Sequence, residues 1–176
     1  GLDERTVVAF VSDHGEEFGD HGGRGHGRTL YEELARVPMI IQLPRGKSGP
    51  RAVDRPVRLM DLMPTVLDLL RIEAPAGIDG ISFASLFGSP EGNYNPLLYA
   101  QLFTRDHAMS SFTKPPYKVI RRTEPAAQRG VQLFHLGRDP GGRHDLAADE
   151  RERLGEMERS LETMEAGLAS GVYVEL

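Results

Sequence analysis

Residues 6–27, TVVAFVSDHGEEFGDHGGRGHG, constrain the fold of this chain more than any other stretch. Residues 6–12 are a short apolar run rich in β-branched and aromatic side chains, the composition of a strand buried on both faces of a parallel sheet. The run stops at Asp13, His14 and Gly15. In open α/β sheets ligands gather beyond the carboxyl ends of strands, so a carboxylate beside an imidazole stands where chemistry is usually done. Gly15 lets the backbone turn away from them. A loop with six glycines from Gly15 to Gly27 follows, interleaved with Glu16, Glu17, Asp20, His21, Arg24 and His26. Such a loop buries little, so its many titratable groups suggest a site rather than a core.

Further along, Thr29 and Glu32 have the spacing of a capping box. Leu30, Leu34 and Val37 then face inward on a short helix that Pro38 ends. Residues 39–43 form a second apolar run, so strand, loop, helix and strand are expected to make a right-handed crossover with both strands parallel. Residues 44–58 read as a basic surface loop, its charges either solvated or approaching an anionic substrate. Asp61 is a natural N-cap, with Pro64 in the first turn of a helix whose apolar stripe is Leu62, Val66, Leu69 and Leu70. A short helix is expected at 82–87.

From residue 93 the pattern changes. Runs at 97–103, 107–112, 117–121 and 131–136 are separated by turns without intervening helices, which predicts an antiparallel sheet. Asp139, Pro140, Gly141 and Gly142 are a tight turn. A final helix over 149–168 carries Leu154, Met157, Leu161, Met164 and Leu168 on one stripe, suited to packing on that sheet. The expected organisation is an α/β portion at 1–93 and a small α+β subdomain at 94–176.

Composition excludes several classes. With a formal charge of −5 and mixed charges, the 176 residues present no basic face for nucleic acid. No apolar run approaches the roughly 20 residues of a membrane span. The absence of cysteine removes disulfides and thiolate metal sites without identifying a compartment.

The blocks SDHGEEFGDHG, GHG and LYEELARVPMII, then Asp61, Pro64 and Thr65, then Gly80 to Ser82, then LFHLGRDPGGRHDLA occur in the order found in sulfatases. The chain resembles the metal-binding second half of a sulfatase, a member of the alkaline-phosphatase-like superfamily. The resemblance implies the C-terminal part of that parallel sheet with flanking helices, followed by an antiparallel sheet packed against a C-terminal helix. Sulfatases carry a cysteine or serine converted to formylglycine in a C/S-x-P-x-R motif. No serine here lies in that motif, so the chain resembles a C-terminal portion, inactive alone and paired with an N-terminal half that holds the nucleophile. A sheet cut in this way would leave an apolar face uncovered and favour self-association.

By the same resemblance, Asp13 and His14 are expected to bind one divalent metal. Calcium is the family's usual ion. Many sulfatases place asparagine where this chain has His14, and imidazole suits manganese, zinc or iron better than calcium, so His14 opens the site to manganese, magnesium or zinc. Taken alone, the Asp13 and His14 pair reads equally as a turn cap or a hydrogen-bonding pair. His26 stands where many sulfatases have a sulfate-binding lysine, and is expected to clamp the anion or protonate the leaving group. Its structural alternative is a hydrogen bond to a carboxylate. Arg24 and His107 are weaker expectations for substrate contact. A local zinc site of Asp13, His14, His21 and His26 is the competing arrangement. The implied reaction is hydrolysis of a small-molecule or glycan sulfate ester. A phosphonate monoester or phosphodiester hydrolase of the same superfamily is one alternative, and a non-catalytic binding fragment another. The family allows a periplasmic or extracellular location, and nothing in the sequence excludes the cytoplasm.

Overall fold

The computed structural model describes residues 1–44 and 52–170. Residues 45–51 of the expected basic loop lie outside the described residues. In chain order the elements are β1 (Val8–Val11), β2 (Glu17–Phe18), β3 (Arg24–Gly25), α1 (Glu32–Ala35), β4 (Met39–Gln42), α2 (Leu62–Leu69), α3 (Ser85–Gly88), β5 (Leu98–Phe103), β6 (Ala108–Lys114), β7 (Tyr117–Glu124), β8 (Gly130–His135) and α4 (Arg151–Ser170). The chain divides into two compact units, one of residues 1–13 with 38–96 and one of residues 14–37 with 97–176. The units divide at 96 and 97, where a boundary at 93 and 94 was expected, and residues 14–37 group with the later half.

In the first unit β1 and β4 pair antiparallel, Val8 opposite Gln42 and Val11 opposite Met39. This corrects the expected parallel crossover. The connection at 12–38 folds as the β2–β3 hairpin and the four-residue α1 rather than as a crossover helix. The ribbon is also not buried on both faces: Val8 is 51% exposed, Phe10 62% and Ile40 62%. Its other face contributes Met39 and Ile41, which pack with Val57 and Phe87 around the buried Phe83, Leu86 and Tyr94.

Beside that cluster lies a buried ion pair. Asp61 is fully buried. Its carboxylate accepts from Arg58 Nε at 2.8 Å and Nη2 at 2.7 Å, from the Ile81 N–H at 2.8 Å, and from the Tyr94 hydroxyl. Asp61 occupies the N-cap position of α2 but makes no capping hydrogen bond from its side chain. Tertiary partners outcompete the helix end for its oxygens. The hydrogen bond to Asp61 raises the Arg58 guanidinium above its ordinary value, and burial followed by the same carboxylate raises the Tyr94 phenol. Gly80 follows from this close packing, since a Cβ there would stand 2.3 Å from the Met60 carbonyl oxygen. Arg55, in the basic loop, donates to the carbonyls of Pro90, Gly92 and Tyr94 and so closes the turn rather than facing an anion.

In the second unit β5, β6, β7 and β8 form an antiparallel meander, as the spacing of short runs predicts. Strand alternation sends Phe112, Val119 and Leu133 to one face, where Met157 and Leu161 of α4 cover them. Met109, Ile120 and Phe134 point to the other face and meet Leu30 and Tyr31. The α4 stripe falls as its periodicity predicts, with Met157, Leu161 and Met164 buried and Leu168 40% exposed at the far end.

The Asp61 cluster carries the first prediction. Asp61→Ala removes the buried carboxylate that accepts from Arg58, itself 17% exposed. The expected loss is about 3–5 kcal/mol, read as a lower urea midpoint at unchanged slope. A loss under about 1 kcal/mol would show that solvent already satisfies Arg58.

Candidate active-site loop

The glycine-rich loop is built as a hairpin. β2 and β3 pair antiparallel, Glu17 opposite Gly25 and Phe18 opposite Arg24. Its tip is turned by Gly19 and Gly22, both at positive φ, with the Gly22 N–H bonded to the Gly19 carbonyl at 3.1 Å. Two strand pairs cannot hold a ribbon alone. The entry to the loop is stitched to α1, with the Gly15 N–H bonded to the Leu34 carbonyl at 2.9 Å and the Glu16 N–H to the Glu33 carbonyl at 3.1 Å. A Cβ on Gly15 would lie 1.8 Å from the Glu33 carbonyl oxygen, so only glycine permits this approach.

Glu17 is 2% exposed and accepts from the Thr29 hydroxyl at 2.9 Å. The expected capping box is therefore not formed: Thr29 serves Glu17, while Glu32 reaches Lys118. Lys118, 3% exposed, donates to Glu32 Oε1 at 2.6 Å and to the Leu30 carbonyl at 2.7 Å. This buried ammonium fixes the chain just after the loop to the face of β7.

The division between the compact units falls between Asp13 and His14. Asp13 is exposed at the end of β1. His14 is exposed, with Nδ1 2.7 Å from the Gly15 carbonyl oxygen. A proton on Nδ1 donates there and leaves Nε2 as the lone-pair nitrogen, the tautomer that a metal-binding imidazole needs. Among the described residues no group of three or more His, Cys, Asp or Glu could hold a metal ion. The donor chemistry of Asp13 and His14 therefore fits part of a coordination sphere and does not complete one.

His26 follows β3 directly. Its ring lies 4.3 Å from that of His14, tilted by 34°, and Nδ1 is 3.0 Å from Glu16 Oε2. The ring is 56% exposed. The carboxylate partner suspected from the sequence is thus present, and it orients the ring instead of burying it. Arg24 is exposed on β3. His107 lies apart from the hairpin, in the turn between β5 and β6. There its N–H bonds to the Thr104 hydroxyl at 3.0 Å, and its Nδ1 is buried without a partner among the described residues.

His21 does not join the other histidines. Its Nδ1 is 2.7 Å from Glu33 Oε1 and its Nε2 is 2.7 Å from the Gly142 carbonyl oxygen. With both nitrogens engaged it has none to offer a metal, which removes the local zinc arrangement. Glu33, which no motif singles out, is as important to the loop as any histidine. Its partner lies 12 residues away, at no helical or strand spacing.

The turn that receives His21 is itself held by Asp139. The Gly142 N–H bonds to the Asp139 carbonyl at 2.9 Å, and the Asp139 carboxylate accepts from the N–H of His144 at 2.8 Å and of Arg143 at 2.6 Å. The backbone bond to His144, then its imidazole and the Arg143 N–H, hold the Asp139 carboxyl below the usual range. Asp145 accepts from the N–H groups of Leu133 and Ala147. The LFHLGRDPGGRHDLA block is thus turn and packing chemistry, as the sequence indicates.

Comparison with known proteins identifies the architecture. Residues 1–72 match the family model described as Sulfatase. An arylsulfatase of Clostridium perfringens is 31% identical over 179 residues, covering 94% of this chain and 36% of that protein. The crystal structure of a Bacteroides thetaiotaomicron protein assigned as a sulfatase superposes with a TM-score of 0.75 at 25% identity, over 92% of this chain and 36% of the other. The phosphonate monoester hydrolase of Agrobacterium radiobacter shares the fold with a TM-score of 0.71 at 24% identity, over 90% of this chain and 35% of that one. The fold is that of the alkaline-phosphatase-like superfamily. Within it, the chain belongs to the sulfatase family, whose members hydrolyse sulfate esters. It spans 15% to 36% of the length of the curated relatives it matches. No helix among the described residues is long and apolar enough to cross a membrane.

The Asp139 turn predicts an acid-sensitive step. The folded carboxyl titrates below its unfolded value, so its stabilisation is complete above about 3.9 and fades as pH falls through the lower, folded value. The urea midpoints of the wild type and Asp139→Asn are expected to differ most near neutrality and to converge below that range. A gap that stays constant with pH would mean that the carboxylate charge contributes nothing.

Proposed function

We propose that this chain supplies the metal-ligand and leaving-group side of a sulfate-ester hydrolase site, with Asp13 and His14 holding one divalent cation and His26 acting on the substrate. A bound cation would supply charge stabilisation at the ester oxygen. Calcium is the family's ion; His14 widens the choice to manganese, magnesium or zinc. The observation that carries the reading is the exposed His26 ring, oriented by Glu16 Oε2 at 3.0 Å and set 4.3 Å from the His14 ring. A proton on Nδ1 donates to Glu16 and turns Nε2 outward, where it can exchange a proton with a leaving oxygen or bond to the anion. Arg24, on the strand that leads to His26, is the accessory anion contact. His107 is left without a role in this reading, because it sits at the β5–β6 turn away from the hairpin.

The nucleophile is expected to be a formylglycine contributed by sequence outside these 176 residues, since none of their serines stands in a C/S-x-P-x-R motif and cysteine is absent. The purified 176-residue chain is accordingly expected to leave 4-nitrophenyl sulfate unhydrolysed. The second reading, a phosphonate monoester or phosphodiester hydrolase, is favoured by one observation, the imidazole donor at position 14. Relative kcat/KM for sulfate and phosphate esters in the complete enzyme separates the two.

The two roles of His26 differ in how they depend on substrate. In the complete enzyme, His26→Ala is expected to lower kcat/KM by about 10²–10⁴-fold. If His26 protonates the leaving group, the loss is larger for alkyl than for 4-nitrophenyl sulfate, because nitrophenolate leaves without help. An equal loss on both esters identifies an anion clamp. Unchanged turnover of both esters would overturn the assignment of His26.

A further inference from the structure

We propose that His21 is a positioning residue that carries both imidazole protons and, through them, fastens the tip of the β2–β3 hairpin to α1 on one side and to the turn at 139–142 on the other. The two groups that meet its ring nitrogens at 2.7 Å are a carboxylate, Glu33 Oε1, and a carbonyl, Gly142 O. A carbonyl only accepts, and so does an ionised carboxylate. A neutral imidazole has one N–H and one lone pair, so it can satisfy one of these partners and repels the other. The doubly protonated ring satisfies both.

The surroundings fit a cation. The Tyr31 ring stacks on His21 at 3.8 Å and 9°, laying a π face against it, while Phe134 of β8 approaches edge-on at 6.4 Å. The His21 and Glu33 side chains are 11% and 13% exposed, so the pair is largely shielded from water and its charge-assisted bonds are correspondingly strong. The other charged groups at the tip are already paired. Arg143, beside Gly142, donates to Asp20 at 2.9 Å, and Asp139 is bonded to His144 at 3.1 Å.

The geometry gives the ring a task. Glu33 receives His21 on its side chain and the Glu16 N–H on its backbone, so the entry and the tip of the hairpin converge on one residue of α1. His26 is one residue beyond β3, and the partner that orients it, Glu16, is one residue before β2. A shift of the hairpin therefore moves His26 and Glu16 together. His21 reaches none of the reacting groups; it acts through the backbone that carries them.

Imidazole ¹⁵N spectra of the 176-residue chain at pH 7 test the protonation directly and do not depend on which ester the enzyme hydrolyses. Both His21 nitrogens are expected in the protonated range, with the exposed His144 as internal reference. Glu33→Gln is expected to return His21 to one protonated and one bare nitrogen. In His21→Ala, amide exchange at residues 20–25 and 142–144 is expected to quicken by about ten- to a hundredfold, while β6, β7 and α4 keep their protection. A single protonated nitrogen in the wild type, or two in Glu33→Gln, would overturn the proposal. So would unchanged exchange at residues 20–25 in a folded His21→Ala chain. Should that variant fail to fold, the wild-type and Glu33→Gln spectra still decide. Catalytic failure of the complete enzyme would bear on the hydrolase reading and leave these spectra as they are.

Discussion

The buried ammonium of Lys118 is the interaction on which the second unit depends. Taking a lysine out of water costs several kcal/mol unless its protons are received by well-placed acceptors. Here they meet Glu32 at 2.6 Å and the Leu30 carbonyl at 2.7 Å. Both acceptors lie just past the glycine-rich hairpin, so a strand of the sheet holds the exit of the loop in place. Leu30 and Tyr31 are carried onto Met109, Ile120 and Phe134 by the same attachment, and Tyr31 becomes the surface on which His21 stacks. The hairpin is too small to fold alone. Its rigidity is borrowed from the sheet through one buried cation and from the turn at 139–142 through one histidine.

The first unit uses the same device independently. Asp61 is the buried charge, Arg58 its counter-ion, and the Tyr94 hydroxyl and Ile81 N–H complete its acceptor capacity. A fully satisfied pair of this kind specifies a single arrangement of the surrounding backbone, because any other leaves a charge buried and bare. Against that ordered side, the β1–β4 ribbon presents Val8, Phe10 and Ile40 to solvent. An apolar sheet face of that kind is what a larger α/β core covers, in keeping with a chain that spans about a third of its longer-matched relatives.

Some elements could be read directly. The four-stranded meander, the α4 stripe and the turn from Asp139 all follow from rules that act over a few residues: alternation, helical spacing and the preference of Asp, Pro and Gly for turns. Elements that depend on distant partners could not. The Thr29 and Glu32 spacing satisfies the rule for a capping box, yet each side chain has a better-placed tertiary partner, Glu17 for one and Lys118 for the other. The β1 run has the composition of a buried parallel strand, but strand composition says nothing of direction. The connection between β1 and β4 is long enough for a crossover, yet it is taken up by the β2–β3 hairpin and the four-residue α1.

By itself the sequence determined the family, the place of Asp13 and His14 at a strand end, and the presence of a histidine-bearing glycine loop, because these reside in contiguous motifs. Only the tertiary structure decided which partners each histidine meets. His26 meets Glu16 across the hairpin and stays exposed, whereas His21 is drawn to Gly142, 121 residues away, and leaves the set of metal candidates. The physical reason is that an imidazole's role is set by the acceptors facing its two nitrogens, and those are assembled by folding rather than by neighbouring sequence.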